Sequence, residues 1–270
     1  MKSSIKRNLG YQTVYQILNT CLPLITAPFL SRILGAENLG IYSYITSISS
    51  FFVLFAMLGI VNYGTRLIAE YNNEKDRISS AFSEIYTIQL TMSLACSVLY
   101  TGYVYLFCKD NTLIALIQGI TVIACAININ WVFFGLEEFK LTVMRNMVIR
   151  LTTVVLILLL VRNSSDLWVY TLLMAGGTMI SDAVLWFYLP SRRLKIRIAY
   201  KGLKKHIKPI LVLFIPLLAM SVYHLMDKAM LGWLSTFHES GYYYNADKVI
   251  NIPVGVLLGV GTVIVLMMRL

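Results

Sequence analysis

Eight apolar runs alternate with polar punctuation along the chain, near residues 9–34, 40–63, 81–107, 112–134, 143–161, 168–189, 209–233 and 249–268. Each approaches or exceeds the roughly 20 residues that cross a bilayer core as a helix. Lipid offers no partner to an unpaired backbone N–H or C=O, and a helix satisfies both within one segment. A transmembrane barrel would instead show short strands of alternating polarity, which these long continuous runs exclude. Pro23 and Pro28 interrupt the first run, which is too long for a signal-peptide core and is followed by no small-residue cleavage pattern. The pattern predicts an all-α polytopic membrane protein with about eight transmembrane helices.

Composition agrees and narrows the possibilities. Of 270 residues, 58% are hydrophobic and 13% charged, against about 25% charged in soluble domains. With a mean hydropathy of +0.71, an ordinary soluble enzyme, a disordered chain and a disulfide scaffold are excluded. The net charge of +10 would suggest nucleic acid in a soluble protein. Here the cations sit between apolar runs, so a membrane topology explains them and no nucleic-acid partner is expected. Lys and Arg number eighteen in one set of alternate loops, and five in the other loops and helix ends: Arg32, Lys109, Arg162, Lys228 and Lys248. That bias predicts a cytoplasmic N-terminus.

Cys21, Cys96, Cys108 and Cys125 fall within apolar runs or at their ends, with no CxxC pair and only three histidines in the chain. Small buried hydrophobes are the expectation, with no metal site. Eight cations crowd residues 191–208, alternating with Leu194, Ile196, Ile198, Leu203 and Ile207. The segment is read either as a topogenic anchor or as a stretch lying on an anionic leaflet. It separates a six-helix lobe over 1–190 from two further helices over 209–270.

The two blocks begin alike. Pro23 precedes Phe29-Leu30-Ser31-Arg32-Ile33-Leu34-Gly35 and then Gly40-Ile41-Tyr42. Pro216 precedes Met226-Asp227-Lys228-Ala229-Met230-Leu231-Gly232 and then Gly241-Tyr242-Tyr243. In both, a cation stands three or four residues before the glycine of a Leu-Gly pair, and a Gly-x-Tyr opens the next span. This echo suggests a parallel repeat of the kind transporters use.

At these residues the chain resembles a known family. LPLITAPFLSRILGAENLGIYSYITSISSFFVLFAMLGIVNYGTRLIAEY (Leu22 to Tyr71) resembles the opening of bacterial O-antigen and capsule repeat-unit flippases. These belong to the multidrug, oligosaccharidyl-lipid and polysaccharide exporter superfamily. DKAMLG (Asp227 to Gly232) followed by GYYYNADKVINIP (Gly241 to Pro253) resembles the start of their second lobe. The resemblance implies two six-helix lobes facing a central cavity in the bacterial inner membrane. It also implies carriage of an undecaprenyl-diphosphate-linked oligosaccharide between leaflets for surface polysaccharide synthesis, with a polysaccharide polymerase as a downstream partner. On that pattern the chain carries one complete lobe and two helices of the second, and transport by residues 1–270 alone is not expected.

Charges at bilayer depth are functional candidates because they are costly. Arg32 ends the first span, where a guanidinium can hold a diphosphate through two parallel hydrogen bonds or snorkel to the headgroups. Arg66 can bind a headgroup or pair with Glu70 one turn on. Arg145 and Arg150 flank the fifth span on the cytoplasmic side, as headgroup ligands or as anchors. His224, Asp227 and Lys228 share one face of the seventh span. Asp227 can pair with His224, or across the lobes with Arg32, or carry a coupling proton. Asp182 reads as a proton or cation site (proton or sodium coupling), or as a carboxylate bonded to a neighbouring helix. Asn19, Asn128 and Asn130 read as interhelical hydrogen-bonding groups. No Walker loop, HExxH or nucleophile elbow occurs, so no cofactor and no enzymatic reaction are expected. A flippase leads, with a multidrug or cation antiporter of the same fold as the alternative. Arginines favour the first and Asp182 the second.

Overall fold

The computed structural model describes residues 22, 25–71, 74–190, 198 and 202–267, with the side chains of 252, 253 and 255–267 outside that description. Every regular element among these residues is a helix. They are α1 (25–33), α2 (Gly35–Met57), α3 (Ile60–Glu70), α4 (Lys75–Phe107), α5 (Thr112–Ala124), α6 (Asn130–Gly135), α7 (Phe139–Leu160), α8 (Leu167–Tyr188), α9 (Lys204–Leu234) and α10 (Phe237–Met267). Five helical stretches are long and apolar enough to cross a membrane: Gly35–Glu70, Lys75–Phe107, Phe139–Leu160, Ser164–Tyr188 and Lys204–Leu234. Thr112–Ile127 is a shorter apolar helix. The protein is an all-α polytopic membrane protein. Most of the first expected span, including Asn19 and Cys21, lies outside the described residues, as does most of 191–201.

Two apolar clusters hold the helices together. One joins Leu30, Leu39, Tyr42, Val104, Val122 and Ile157 across α1, α2, α4, α5 and α7. The other joins Ile60, Phe82, Trp131, Phe133, Leu185 and Ile210 across α3, α4, α6, α8 and α9. Outside them, Val98, Phe107 and Phe187 are 73%, 71% and 83% exposed. Such surfaces are stable against hydrocarbon, where no hydrophobic gain comes from covering them.

The structure corrects the fourth expected span. The apolar run at 112–134 is not one helix: α5 ends at Ala124, a 3-10 turn covers Cys125–Ile127, and α6 begins at Asn130. A broken helix at membrane depth is tolerated only where protein satisfies the freed backbone groups. Gln89 of α4 does most of this. Its amide nitrogen donates to the carbonyls of Cys125 at 2.6 Å and Asn128 at 2.7 Å. Its oxygen accepts the Trp131 indole N–H at 2.9 Å. Trp186 of α8 donates to the Ile127 carbonyl at 2.7 Å.

Two further contacts fix α9 and α10 against the preceding helices. His206, in the first turn of α9, is 2% exposed. Its Nδ1 lies 2.6 Å from the Tyr63 hydroxyl, and its Nε2 lies 2.6 Å from Glu84 Oε2. Lys205 adds an ion pair to the same carboxylate at 2.8 Å. The second contact joins the echoed segments. A Cβ at Gly40 would overlap the Phe237 carbonyl, and a Cβ at Gly241 would overlap the Ala36 carbonyl. Each glycine sits one turn beyond the residue whose carbonyl receives the other. The starts of α2 and α10 therefore cross backbone to backbone, as small residues permit in membranes.

Candidate substrate cavity

A cavity of about 390 Å³ opens between α1, α7, α8 and α10, within the range of about 300–1,000 Å³ typical of small-molecule sites. Helix α7 contributes Asn146, Arg150, Thr153 and Ile157, at the three- and four-residue spacing that puts side chains on one helical face. Helix α8 adds Tyr170, Gly177, Ser181 and Asp182, and α10 adds Tyr244 and Lys248.

Two cations lie on this wall. Arg150 is the twelfth residue of α7, and no hydrogen bond or ion pair takes up its guanidinium among the described residues. Lys248 is the twelfth residue of α10, about 17 Å along the helix at 1.5 Å per residue. Its ammonium lies 4.2 Å from the Tyr244 ring centroid, a cation–π contact. Tyr244 and Tyr170 bring their hydroxyls to 3.4 Å, and Tyr42 packs on Tyr170 with ring centroids 4.7 Å apart. The expected positions are corrected on two counts. Arg150 does not flank the fifth span but stands midway along it, because α7 begins at Phe139. Lys248 is no helix-end residue, because α10 begins at Phe237 and not near 249.

Asp182 is 5% exposed and its oxygens are engaged by a neighbouring segment. Asn130 Nδ2 donates to Oδ1 at 2.7 Å, and Asn128 Nδ2 donates to Oδ2 at 3.1 Å. Arg145, 8% exposed, donates from Nη2 to Asn130 Oδ1 at 2.8 Å and to Asn146 Oδ1 at 2.7 Å. Ser181 also donates to Asn146 Oδ1, at 2.8 Å. A cation and a carboxylate are thus joined through one amide, and the chain of bonds ties α7 and α8 to the break before α6. Asn128 and Asn130 do hydrogen-bond between elements, as their place in an apolar run suggested.

The other candidates lie apart from the cavity. Arg32 and Arg66 are exposed, and no ion pair joins Arg66 to Glu70 among the described residues. His224 is exposed beside Tyr223, their ring centroids 5.2 Å apart. Asp227 pairs with neither His224 nor Arg32: it accepts a hydrogen bond from the Tyr243 hydroxyl at 2.9 Å. Lys228 pairs with Asp247 at 2.7 Å. Both contacts link α9 to α10. Cys96, Cys108 and Cys125 are free and buried.

Sequence reasoning missed Lys248, Asn146, Gln89 and the Tyr63–His206–Glu84 cluster. Asn146 stands four residues before Arg150 in an apolar stretch, and that spacing was a usable signal. Nothing in the sequence pairs Tyr63, Glu84 and His206, which come from three separate elements.

Comparison with known proteins agrees with this architecture. A curated relative from Escherichia coli (strain K12), named "Putative O-antigen transporter", is 23% identical over 260 residues, covering 95% of this chain and 63% of its own length. A relative of the same name from Shigella dysenteriae is 26% identical over 267 residues, covering 95% of this chain and 65% of its own. The chain therefore spans a little under two thirds of the length of these curated relatives. No solved structure matches it. The family model described as "Polysaccharide biosynthesis protein" matches residues 5–268, and the chain belongs to that family.

Proposed function

We propose that the protein is a flippase for a lipid-diphosphate-linked oligosaccharide, the repeat unit of a surface polysaccharide, in the bacterial inner membrane. One observation carries this reading: Arg150 and Lys248, each the twelfth residue of a long helix, line a single cavity. Cations are kept there at high cost, and a diphosphate is the headgroup that two such charges suit. Arg150 supplies a planar fork for phosphate oxygens and Lys248 a compact point charge. They come from opposite sides of the basic 191–208 stretch, so the headgroup would bridge the first six-helix lobe to the second. Arg32 and Arg66, outside the cavity, act as headgroup-level anchors in this scheme. Asp182, with both oxygens already accepting amide hydrogens, suits a cation antiporter less well.

The O-antigen transporters among the relatives support a polysaccharide unit as cargo, and the undecaprenyl carrier is the lipid the family resemblance implies. The eighteen-to-five distribution of Lys and Arg supports a cytoplasmic N-terminus. Delivery on the far side would hand the unit to a polymerase, with no reaction catalysed by the flippase.

The test is restoration of surface polysaccharide in a strain lacking its own flippase, using the complete reading frame. Arg150→Ala and Lys248→Ala should each cut surface polymer at least about tenfold at equal membrane protein level, and Arg150→Lys should recover part of it. Surface polymer at the unmodified level in the double alanine variant would overturn the assignment of the headgroup to this cavity.

A further inference from the structure

The hydrogen bonds around Arg145 fix which way the Asn146 amide faces. A guanidinium only donates, so any amide atom within bonding distance of it must be oxygen. Arg145 approaches one Asn146 side-chain atom with Nε at 3.2 Å and Nη2 at 2.7 Å, and the Ser181 hydroxyl reaches the same atom at 2.8 Å. Turning the amide over would set its N–H groups against those of the guanidinium. That atom is Oδ1, and three donors occupy it. The Nδ2 group makes no hydrogen bond among the described residues, although Asn146 lines the cavity. Two N–H donors are thus presented there on a side chain clamped at its oxygen.

The neighbours on the same face give that donor a meaning. Arg150 lies one turn further along α7, a rise of about 6 Å, and Thr153 follows. The Thr153 hydroxyl proton is spent on the Ile149 carbonyl at 2.9 Å, which leaves its oxygen to accept. The wall therefore runs from a neutral two-proton donor to a cation to an acceptor.

We propose that Asn146 is a specificity-determining residue that reads an acceptor oxygen on the sugar bonded to the diphosphate, with Arg145 as its positioning residue. The proposal rests on the flippase reading and on Arg150 holding the phosphates. An oxygen substituent on the carbon next to the anomeric carbon is the exocyclic sugar acceptor nearest the diphosphate, so it falls within reach of a donor one helical turn from the guanidinium. A site built around a fixed donor discriminates against a substrate lacking the acceptor, because binding then takes the donor out of water and leaves it unpaired.

The experiment reconstitutes the protein, expressed from its complete reading frame, into proteoliposomes. It compares translocation of a polyprenyl-diphosphate-linked hexose with that of its 2-deoxy analogue. The unmodified protein should move the intact probe about tenfold faster or more. Asn146→Ala should bring the intact probe down to the rate of the analogue while the analogue's own rate holds. Arg145→Gln, which frees the amide to rotate, should narrow the preference in the same direction. An unchanged preference in Asn146→Ala, or an equal fall for both probes, would overturn the proposal. Equal rates on the unmodified protein would overturn it without any variant, while leaving the flippase reading standing. Failure to move either probe would instead remove the flippase reading beneath it.

Discussion

Replacing Gln89 with leucine is the sharpest test of how the broken fourth span is held. Gln89 is fully buried, at 0% exposure, and its amide makes three hydrogen bonds of 2.6–2.9 Å to the Cys125 and Asn128 carbonyls and the Trp131 indole. Leucine fills nearly the same volume and makes none. A typical net hydrogen bond is worth about 0.5–1.5 kcal/mol, and interhelical bonds in membranes average about 0.6 kcal/mol. Three bonds on these scales give about 2–4 kcal/mol, since each stranded group must find a new partner or remain unpaired. Unfolding by dodecyl sulfate in mixed micelles, followed by tryptophan fluorescence, measures it, and Trp131 lies at the perturbed point. Gln118→Leu is the control: Gln118 is 4% exposed and its Oε1 is buried without a partner among the described residues, so that change should be neutral or stabilising. A Gln89→Leu cost under about 0.5 kcal/mol, or an equal cost for Gln118→Leu, would refute the idea that Gln89 substitutes for the missing helical bonds.

Other consequences are equally open to measurement. Gly40→Ala and Gly241→Ala should each cost about 1–3 kcal/mol by the same assay, since either methyl would overlap a backbone carbonyl across the α2–α10 crossing; tolerance of both would mean the crossing is looser than described. Asp182→Asn turns an acceptor into a half-donor facing two asparagine N–H groups and should cost about 1–3 kcal/mol; an unchanged stability with altered ion dependence of transport would return Asp182 to a coupling role. His206→Ala strands both the Tyr63 hydroxyl and one side of Glu84, so limited proteolysis should cut the 191–203 stretch faster than in the parent, and an unchanged rate would count against that anchor. Single cysteines at Asn73 and Asn111, in a cysteine-free background, should label with an impermeant reagent from opposite faces; labelling of both in intact cells would overturn the orientation drawn from Lys and Arg.

The chain itself determined the architecture at the level of spans. Hydropathy is summed locally, and a helix satisfies its own backbone, so the apolar runs at 81–107, 143–161, 168–189 and 209–233 mapped onto single helices without knowledge of their neighbours. The echo between Gly40 and Gly241 was also visible along the sequence, as was the exceptional cost of Asp182 at membrane depth. Tertiary structure decided what each polar group does, because at that depth its role depends on which donor or acceptor faces it. Arg145 and Arg150 read alike in sequence. One is folded into the Asn130–Asp182–Asn146 network and the other is left facing a cavity. The break at 128–129 could not be foreseen from its own residues, since what permits it is Gln89, on another helix. Lys248 became a cavity residue only because α10 begins twelve residues before the apolar run that marked it. Charge at a helix end and charge midway along a helix differ here by about three turns, and packing rather than hydropathy fixed where α7 and α10 begin.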